Sequence, residues 1–481
     1  MADELTPDIC VIGAGPGGIA AATAAAAEGV PVILIEKNRT GGHNLASGTV
    51  PAKALLAAAA IHETLRTGPA FGVTGAPLQV DLGRVREHIE EATAAIARNV
   101  TPERLTALGV KVIAGNARFA NPDLVVVDNT AIRARRIIIA TGSVPAVPQI
   151  PGLETVDAMS LADGFDLARR PAHLIVLGAD RYALEFAQAY SRLGIDTTVV
   201  DEGAAIPDVD PEMATILLDR LRAEGIRVRT GVKISEIARR RGGVRMLLTD
   251  PAEGEIAVDG SHIIIAAGRW PDVEGLGLAA GQIQWDKAGI VVDKGLRTTN
   301  RRVYAIGDVI AGAPLAARAE LQAAAVVRSI LYRVPFTDET ANVPAVAFTD
   351  PGLASVGLDE PAARLLHRDV RIIRVPFAES DRAHIEREPA GMLKVITTTG
   401  GGRILGAAIV GRDAPELIAP WALAVANRLG LAAVAAYVPP YPARAALARR
   451  VAADHKPATR GSAGLTPAWR RRIITLFRKL G

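Results

Sequence analysis

Residues 9–18 read Ile9-Cys10-Val11-Ile12-Gly13-Ala14-Gly15-Pro16-Gly17-Gly18. A four-residue apolar run enters a glycine-rich turn. An alanine-rich stretch, 19–28, follows, and then Val32-Ile33-Leu34-Ile35 ends at Glu36. The order is strand, G-x-G-x-x-G, helix, strand, acid, the pattern of a dinucleotide-binding βαβ unit. Gly13 permits the tight turn. Gly15 lets the backbone approach a pyrophosphate at the helix N-terminus. Gly18 allows close helix–strand packing. Glu36 is placed to accept hydrogen bonds from an adenosine ribose. Alone, such a glycine motif is weak and would serve as a turn with no ligand; in this full context it points to nucleotide binding.

A second unit follows the same plan. His173-Leu174-Ile175-Val176-Leu177 leads into Gly178-Ala179-Asp180-Arg181-Tyr182-Ala183, a helix to Leu193, and a strand ending in Asp201. Two units suggest two dinucleotide sites, such as FAD and NAD. Asp201 favours NAD over NADP, because an acid repels a 2′-phosphate. Gly178 supplies the first turn, and Ala183 is an accepted packing variant at the third glycine position. Asp180 breaks the pattern: an anionic side chain would there face a pyrophosphate. At ~4 Å, like charges repel by roughly 1 kcal/mol in water and about 4 kcal/mol at an effective dielectric of 20. A compensating Arg181, or an Asp180 turned away, would leave NAD(H) binding open.

Further strands are expected at 137–140, running into Thr141-Gly142-Ser143, and at 303–306, ending in an exposed Asp308. From about 341 the texture changes to apolar strands at 343–348, 370–375, 392–397 and 404–410, with helices between them, including 414–429. That reads as an α+β domain on an antiparallel sheet. Residues 453–466 read as a Pro/Gly/Ser-containing linker.

At 481 residues the chain is long enough for about three or four domains. Apolar residues at 49% and charged residues at 22% exclude global disorder. Aromatics at 4% argue against a base-stacking nucleic-acid platform. One cysteine excludes an intramolecular disulfide framework and a thiolate metal cluster. Nine of the 55 basic residues are Lys, and that arginine bias with the alanine richness suggests a GC-rich bacterial genome. The uncharged run 9–27 could pass for a signal or spanning segment, but Asp3 and Glu4 precede it and glycines and a proline interrupt it. A soluble, cytoplasmic body is the expectation.

The net charge of +4 is unevenly placed. Residues 456–481 hold Lys456, Arg460, Arg470, Arg471, Arg472, Arg478 and Lys479 and no acid. Thr466-Pro467 is a good helix start, with Thr as N-cap and Pro at the first position. Trp469, Ile473, Ile474, Leu476, Phe477 and Leu480 then fall on one broad stripe. Such a basic amphipathic segment, 466–480, suits peripheral contact with the inner face of an anionic membrane or a protein partner, or packing on the protein's own dimer. Nucleic acid is not an expected partner, because the body offers no basic extension of the patch.

Several specific motifs join the first glycine loop: Gly41-Gly42, Pro51-Ala52-Lys53-Ala54-Leu55-Leu56, Ala140-Thr141-Gly142-Ser143, Ala267-Gly268-Arg269-Trp270-Pro271, Tyr304-Ala305-Ile306-Gly307-Asp308-Val309 and Phe348-Thr349-Asp350-Pro351. With them, residues 5–450 resemble the pyridine nucleotide–disulfide oxidoreductases, the flavoprotein group of lipoamide dehydrogenase, glutathione reductase and mercuric reductase. The resemblance implies an α/β fold with two Rossmann-like dinucleotide-binding domains plus a C-terminal α+β dimerisation domain, in a homodimer. It implies an FAD domain at 1–150 and 271–335, an NAD(P)-binding-like domain at 151–270 and a dimerisation domain at 340–450, with linker and tail at 451–481. Gly13, Gly15, Gly18, Glu36, Gly42, Lys53, Thr141, Gly142, Arg269 and Asp308 would hold FAD, Asp308 at the ribityl chain. Gly178 and Asp201 would serve NAD(H).

Two parts of the family's chemistry are missing. Its G-G-x-C-x-x-x-x-C-x-P-x-K pattern is matched without a gap by residues 41–53, but Asn44 and Thr49 stand at the cysteine positions. Cys10 lies in the first strand, where an inert buried thiol is expected. Dithiol–disulfide exchange needs two thiols, so no lipoamide, glutathione or mercuric reductase activity is expected. The family's C-terminal His-Pro…Glu pair is also lost: Tyr441 stands for the His and Ala446 for the Glu. Tyr441, like the segment 183–189, is similar to mercuric reductases, with the metal chemistry removed.

The resemblance retains one pair, Lys53 and Glu185, beside the flavin's N5, as a redox element or a structural remnant. Without the sulfurs, a polar pocket lined by His43, Asn44, Ser47 and Thr49 is left on one flavin face. His43 is the only group there expected to titrate near neutral pH, unless it points to solvent. Tyr441 from the other subunit would donate a hydrogen bond to a substrate oxygen, or else pack as a plug. Lys53, Glu185, His43, Asn44, Thr49 and Tyr441 are therefore the catalytic candidates, and no metal site is expected. The expected function is an FAD-dependent oxidoreductase using direct flavin chemistry on a small substrate. The alternatives are an NADH-dependent reductase of a quinone or other small acceptor, and a non-catalytic scaffold.

Overall fold

All four residues of the Ile9–Ile12 strand are buried. It lies at the centre of a five-stranded parallel sheet in the order Val303–Ala305, Arg136–Ile139, Ile9–Ile12, Val32–Glu36, Val110–Ala114. Parallel strands covered on both faces read as unbroken β-branched runs, which explains ICVI, VILIE and RIII. Ile9 pairs with Val32 and Arg136, so the glycine turn after Ile12 opens at the carboxyl ends of its neighbours. The Pro16–Ala27 helix follows and packs on the Ala316–Tyr332 helix. Their approach requires small residues: a Cβ on Gly17 would stand 2.9 Å from that of Ala319.

The structure is a computed structural model describing residues 4–75, 78–167, 169–312, 314–335, 340–399, 402–453 and 467–480. They divide into one unit up to residue 354 and another from 355. The first unit holds a second parallel sheet in the order Met159–Ser160, His262–Ile265, His173–Leu177, Asp196–Asp201, Arg227–Thr230. The Arg181–Arg192 helix follows its middle strand and packs on the Thr49–Thr67 helix. A three-stranded antiparallel meander, Lys233–Arg240, Gly243–Asp250 and Gly254–Gly260, is added to this half. The stretch Gly42–Phe71 is long and apolar enough to cross a membrane by length and composition. Its Lys53 pairs with Glu185 inside the fold, and Pro51, Ala52, Ala54, Leu55 and Ala59 are buried, as in a core helix.

In the second unit Val370–Pro376, Met392–Thr398 and Ile404–Gly411 form antiparallel pairs, and Ile404–Gly411 is buried throughout. The single helix expected over 414–429 is two, Ala414–Leu417 and Ala419–Ala426. Pro415 and Pro420 each sit in a first turn, where a missing N–H costs nothing, and so each starts its own helix. The Pro467–Leu480 helix forms as expected. Trp469, Leu476 and Phe477 are exposed on it, with Arg471, Arg472, Arg478 and Lys479, while Ile473 is half-buried. The Thr466 cap, linker residues 454–466 and the side chains of Arg470, Ile474 and Leu480 lie outside the described residues.

Candidate functional site

A cleft of about 630 Å³ opens above the glycine turn, a size typical of a cofactor site. Gly13, Gly15, Glu36, Gly42, His43, Asn44, Ser47, Thr141, Gly142, Arg269 and Asp308 all line it. The turn is built for close approach. Gly13 has φ +102°, and a Cβ there would stand 2.5 Å from the Ala140 carbonyl oxygen. A Cβ on Gly18 would meet the Gly13 carbonyl oxygen at 1.8 Å, so this glycine serves packing and not the cleft wall. Gly15 is different: a Cβ would meet nothing within 4 Å. The Pro16–Ala27 helix has no side-chain cap, so its N-terminal N–H groups are free to receive an anion.

Glu36 is fixed by two backbone donors. The Ala14 N–H donates to Oε2 at 2.6 Å and the Asn38 N–H to Oε1 at 2.8 Å. At the far wall Arg269 Nε donates to Ser143 Oγ at 2.8 Å, and Ser143 Oγ donates to Asp308 Oδ2 at 3.2 Å. Asp308 is half-buried, not the exposed acid expected, because it sits in a short 3-10 turn after the buried strand Val303–Ala305. Burial raises its carboxyl above the usual range, opposed by the Ser143 hydroxyl and by Arg269. The rim adds residues the sequence did not mark: Lys37 pairs with Asp272 at 2.7 Å, and Thr141 Oγ1 donates to the Asp272 carbonyl at 2.7 Å. An uncapped helix end, open space over Gly15, an anchored acid and a polar far wall fit FAD.

Lys53 lies one turn inside the Thr49–Thr67 helix and pairs with Glu185. Glu185 is 1% exposed, and its Oε1 accepts the Phe348 N–H at 2.7 Å. The Lys53 ammonium lies 4.3 Å from the Phe348 ring centroid and 5.5 Å from that of Tyr182. Neither aromatic was foreseen, since each meets Lys53 across more than a hundred residues. At the former cysteine positions, Thr49 Oγ1 donates to Asn44 Oδ1 at 3.4 Å. Thr49 does not line the cleft, in contrast to His43, Asn44 and Ser47. Cys10 is fully buried, and burial pushes its thiol up to about 12.

The family described as pyridine nucleotide-disulphide oxidoreductase matches residues 7–324, and its dimerisation domain matches 343–450. The chain belongs to this family. It is 32% identical to a mercuric reductase of Streptomyces lividans over 423 residues, covering 85% of this chain and 88% of that protein. It is 32% identical to dihydrolipoyl dehydrogenase 3 of Pseudomonas aeruginosa over 462 residues, covering 93% and 97%. Among solved structures it is similar to LpdA of Mycobacterium tuberculosis, with a TM-score of 0.84 and 26% identity over 93% of this chain and 99% of that one. The α/β architecture, the FAD-dependent oxidoreductase class and a dimerisation domain follow from that membership.

Against that family background, His43 is not a neutral-pH titrating group. Burial, and then the positive charge of Arg269, lower it to about 4. It does not point to solvent either: Nδ1 shares a 2.8 Å hydrogen bond with Ser47 Oγ, and a Cβ on Gly48 would stand 2.7 Å from Nε2. His43, Ser47, Tyr182 and Arg269 also border a smaller cavity of about 50 Å³, with Asp180, Phe165 and Phe186.

Asp180 is the group near neutrality, raised to about 6 by burial first and lowered in part by the Ala183 N–H. It is the N-cap of the Arg181–Arg192 helix, and Oδ1 accepts the Ala183 N–H at 2.8 Å. Such a cap stabilises a helix by about 1 kcal/mol. Arg181 gives little compensation, since its guanidinium pairs with Asp208 at 2.6 Å. Asp201 is anchored as Glu36 is, accepting the Ala179 N–H at 2.7 Å and the Gly203 N–H at 2.7 Å. A Cβ on Gly178 would meet the Ala266 carbonyl oxygen at 2.1 Å, so this glycine makes its turn as Gly13 does. In the unit that begins at residue 355, Tyr441 is 82% exposed and hydrogen-bonds Asp381, which raises its phenol. It is not packed as a plug within its own chain.

Proposed function

We propose that this chain is an FAD-dependent oxidoreductase that reacts with a small organic substrate directly at the flavin, with no disulfide relay. The observation that carries the reading is the Lys53–Glu185 pair, kept intact in a site whose two thiol positions are an amide and a hydroxyl. Keeping a buried carboxylate costs free energy unless its partner is kept too. FAD, when bound, supplies the two-electron acceptor. The Gly13–Gly18 turn and the open helix end hold its phosphates, Glu36 its ribose, and Arg269, Ser143 and Asp308 the far wall of the cleft. Lys53 is a fixed cation at the Phe348 and Tyr182 rings, favouring negative charge that develops nearby. Asn44, at one of the positions where the family holds sulfur, and Ser47 beside it offer hydrogen bonds to a substrate from the cleft wall. His43, neutral at pH 7, adds an imidazole whose other nitrogen is tied to Ser47.

The test is a spectrum followed by an anaerobic titration. The purified protein should carry a bound flavin band, and a small organic donor should bleach it. It should not turn over lipoamide or glutathione disulfide. No flavin band, before or after incubation with FAD, ends the enzyme reading in favour of a scaffold.

The same reading makes the protein a cytoplasmic homodimer through its dimerisation domain, with Tyr441 presented to the partner's site, which suits an exposed phenol. It also sets the Pro467–Leu480 helix on an anionic membrane surface, since Trp469, Leu476 and Phe477 are exposed beside four cationic side chains.

A further inference from the structure

We infer that the second dinucleotide-binding unit is closed to pyridine nucleotides by the chain's own Asp180, whose carboxylate takes the place of a phosphate at the start of the Arg181–Arg192 helix.

The two units offer an internal comparison. Gly15 and Asp180 occupy the same place in their turns, with the same backbone: φ −75°, ψ −177° at Gly15 and φ −74°, ψ 179° at Asp180. The acids at the second strand are anchored alike, Glu36 on Ala14 and Asp201 on Ala179. What differs is the side chain at the second glycine position. Over Gly15 there is open space and the helix is uncapped. At Asp180 a carboxylate fills that position and takes the Ala183 N–H. An anion arriving there loses a donor and meets a like charge.

Arg181, turned to Asp208, offsets that charge only weakly, and Glu185 adds a further negative influence on Asp180; Arg269, the other cation coupled to it, is held by Ser143. Asp201 thus marks a ribose position in a unit that no longer accepts the pyrophosphate. The inference concerns binding alone, so it stands or falls separately from the activity of the flavin.

The experiment is calorimetric titration of the full-length, FAD-loaded protein with NADH and NADPH. The wild type should bind each with a Kd weaker than ~1 mM. Asp180→Gly and Asp180→Ala should each bind NADH at least about 10-fold more tightly than the wild type, as removal of a like charge at close range requires. A wild-type Kd below ~1 mM overturns the inference. So does a gain of less than that in both variants, provided circular dichroism shows them folded.

Discussion

The Lys53 ammonium and the Glu185 carboxylate meet between two helices, and the carboxylate is almost wholly inaccessible. One partner therefore cannot be removed without stranding the other. Lys53→Ala should destabilise the fold by about 3 kcal/mol, because it leaves a buried acid uncompensated. Lys53→Met combined with Glu185→Leu should recover only part of that loss, because it also removes the acceptor of the Phe348 N–H. Denaturant unfolding of the three proteins measures both. If Lys53→Ala also leaves the rate of flavin reduction unchanged, the pair is a structural remnant and the catalytic reading loses its support.

Gly15 lies over open space, and a Cβ there would meet nothing within 4 Å. Gly15→Asp should reproduce in the first unit what Asp180 does in the second. The variant should fold, with circular dichroism like the wild type, and its flavin content per chain should fall at least about 10-fold. Undiminished absorbance at the flavin band would remove the assignment of this turn to the pyrophosphate.

Both halves of the fold were legible because each is a local pattern: a buried apolar run, a glycine turn and an acid a fixed distance later. The loss of the dithiol was equally plain, since residues 41–53 match their pattern without a gap. The outcome at Asp180 was half legible. Asp is among the preferred N-caps, and the helix begins at Arg181, so self-capping had a sequence signal. The fate of Arg181 had none, because Asp208 reaches it through a loop. Nor did local sequence show that Phe348 and Tyr182 flank Lys53, or that Arg269 stands near His43. Those contacts arise only when distant segments pack.

His43 and Asp180 should give stability opposite pH slopes. The His43 value falls from 6.5 to about 4, so its contribution is present above pH 6.5 and lost as pH falls through 4. Asp180 rises from 3.8 to about 6, so its contribution is present below pH 3.8 and lost as pH rises through 6. Melting temperatures measured from pH 4 to 7 should fall less steeply on acidification for His43→Gln than for the wild type. They should fall more steeply for Asp180→Asn. Parallel profiles for all three proteins would contradict both assignments.

The C-terminal helix is tested by removal. A chain lacking residues 456–481 should keep its flavin and lose sedimentation with liposomes containing anionic lipid, and the full chain should release from them as salt rises. Equal sedimentation with and without the tail would rule out a membrane role for it.

Cys10 is the sole thiol, and it sits inside the central strand at full burial with its proton firmly held. An enzyme that stores electrons in a cysteine pair is poisoned by alkylating agents and by peroxide, and it idles when its surroundings set the wrong thiol potential. This chain has no accessible thiol for those agents to seize. Any flavin activity of this chain should therefore persist after treatment with a thiol-alkylating agent that silences a dithiol enzyme of the same fold.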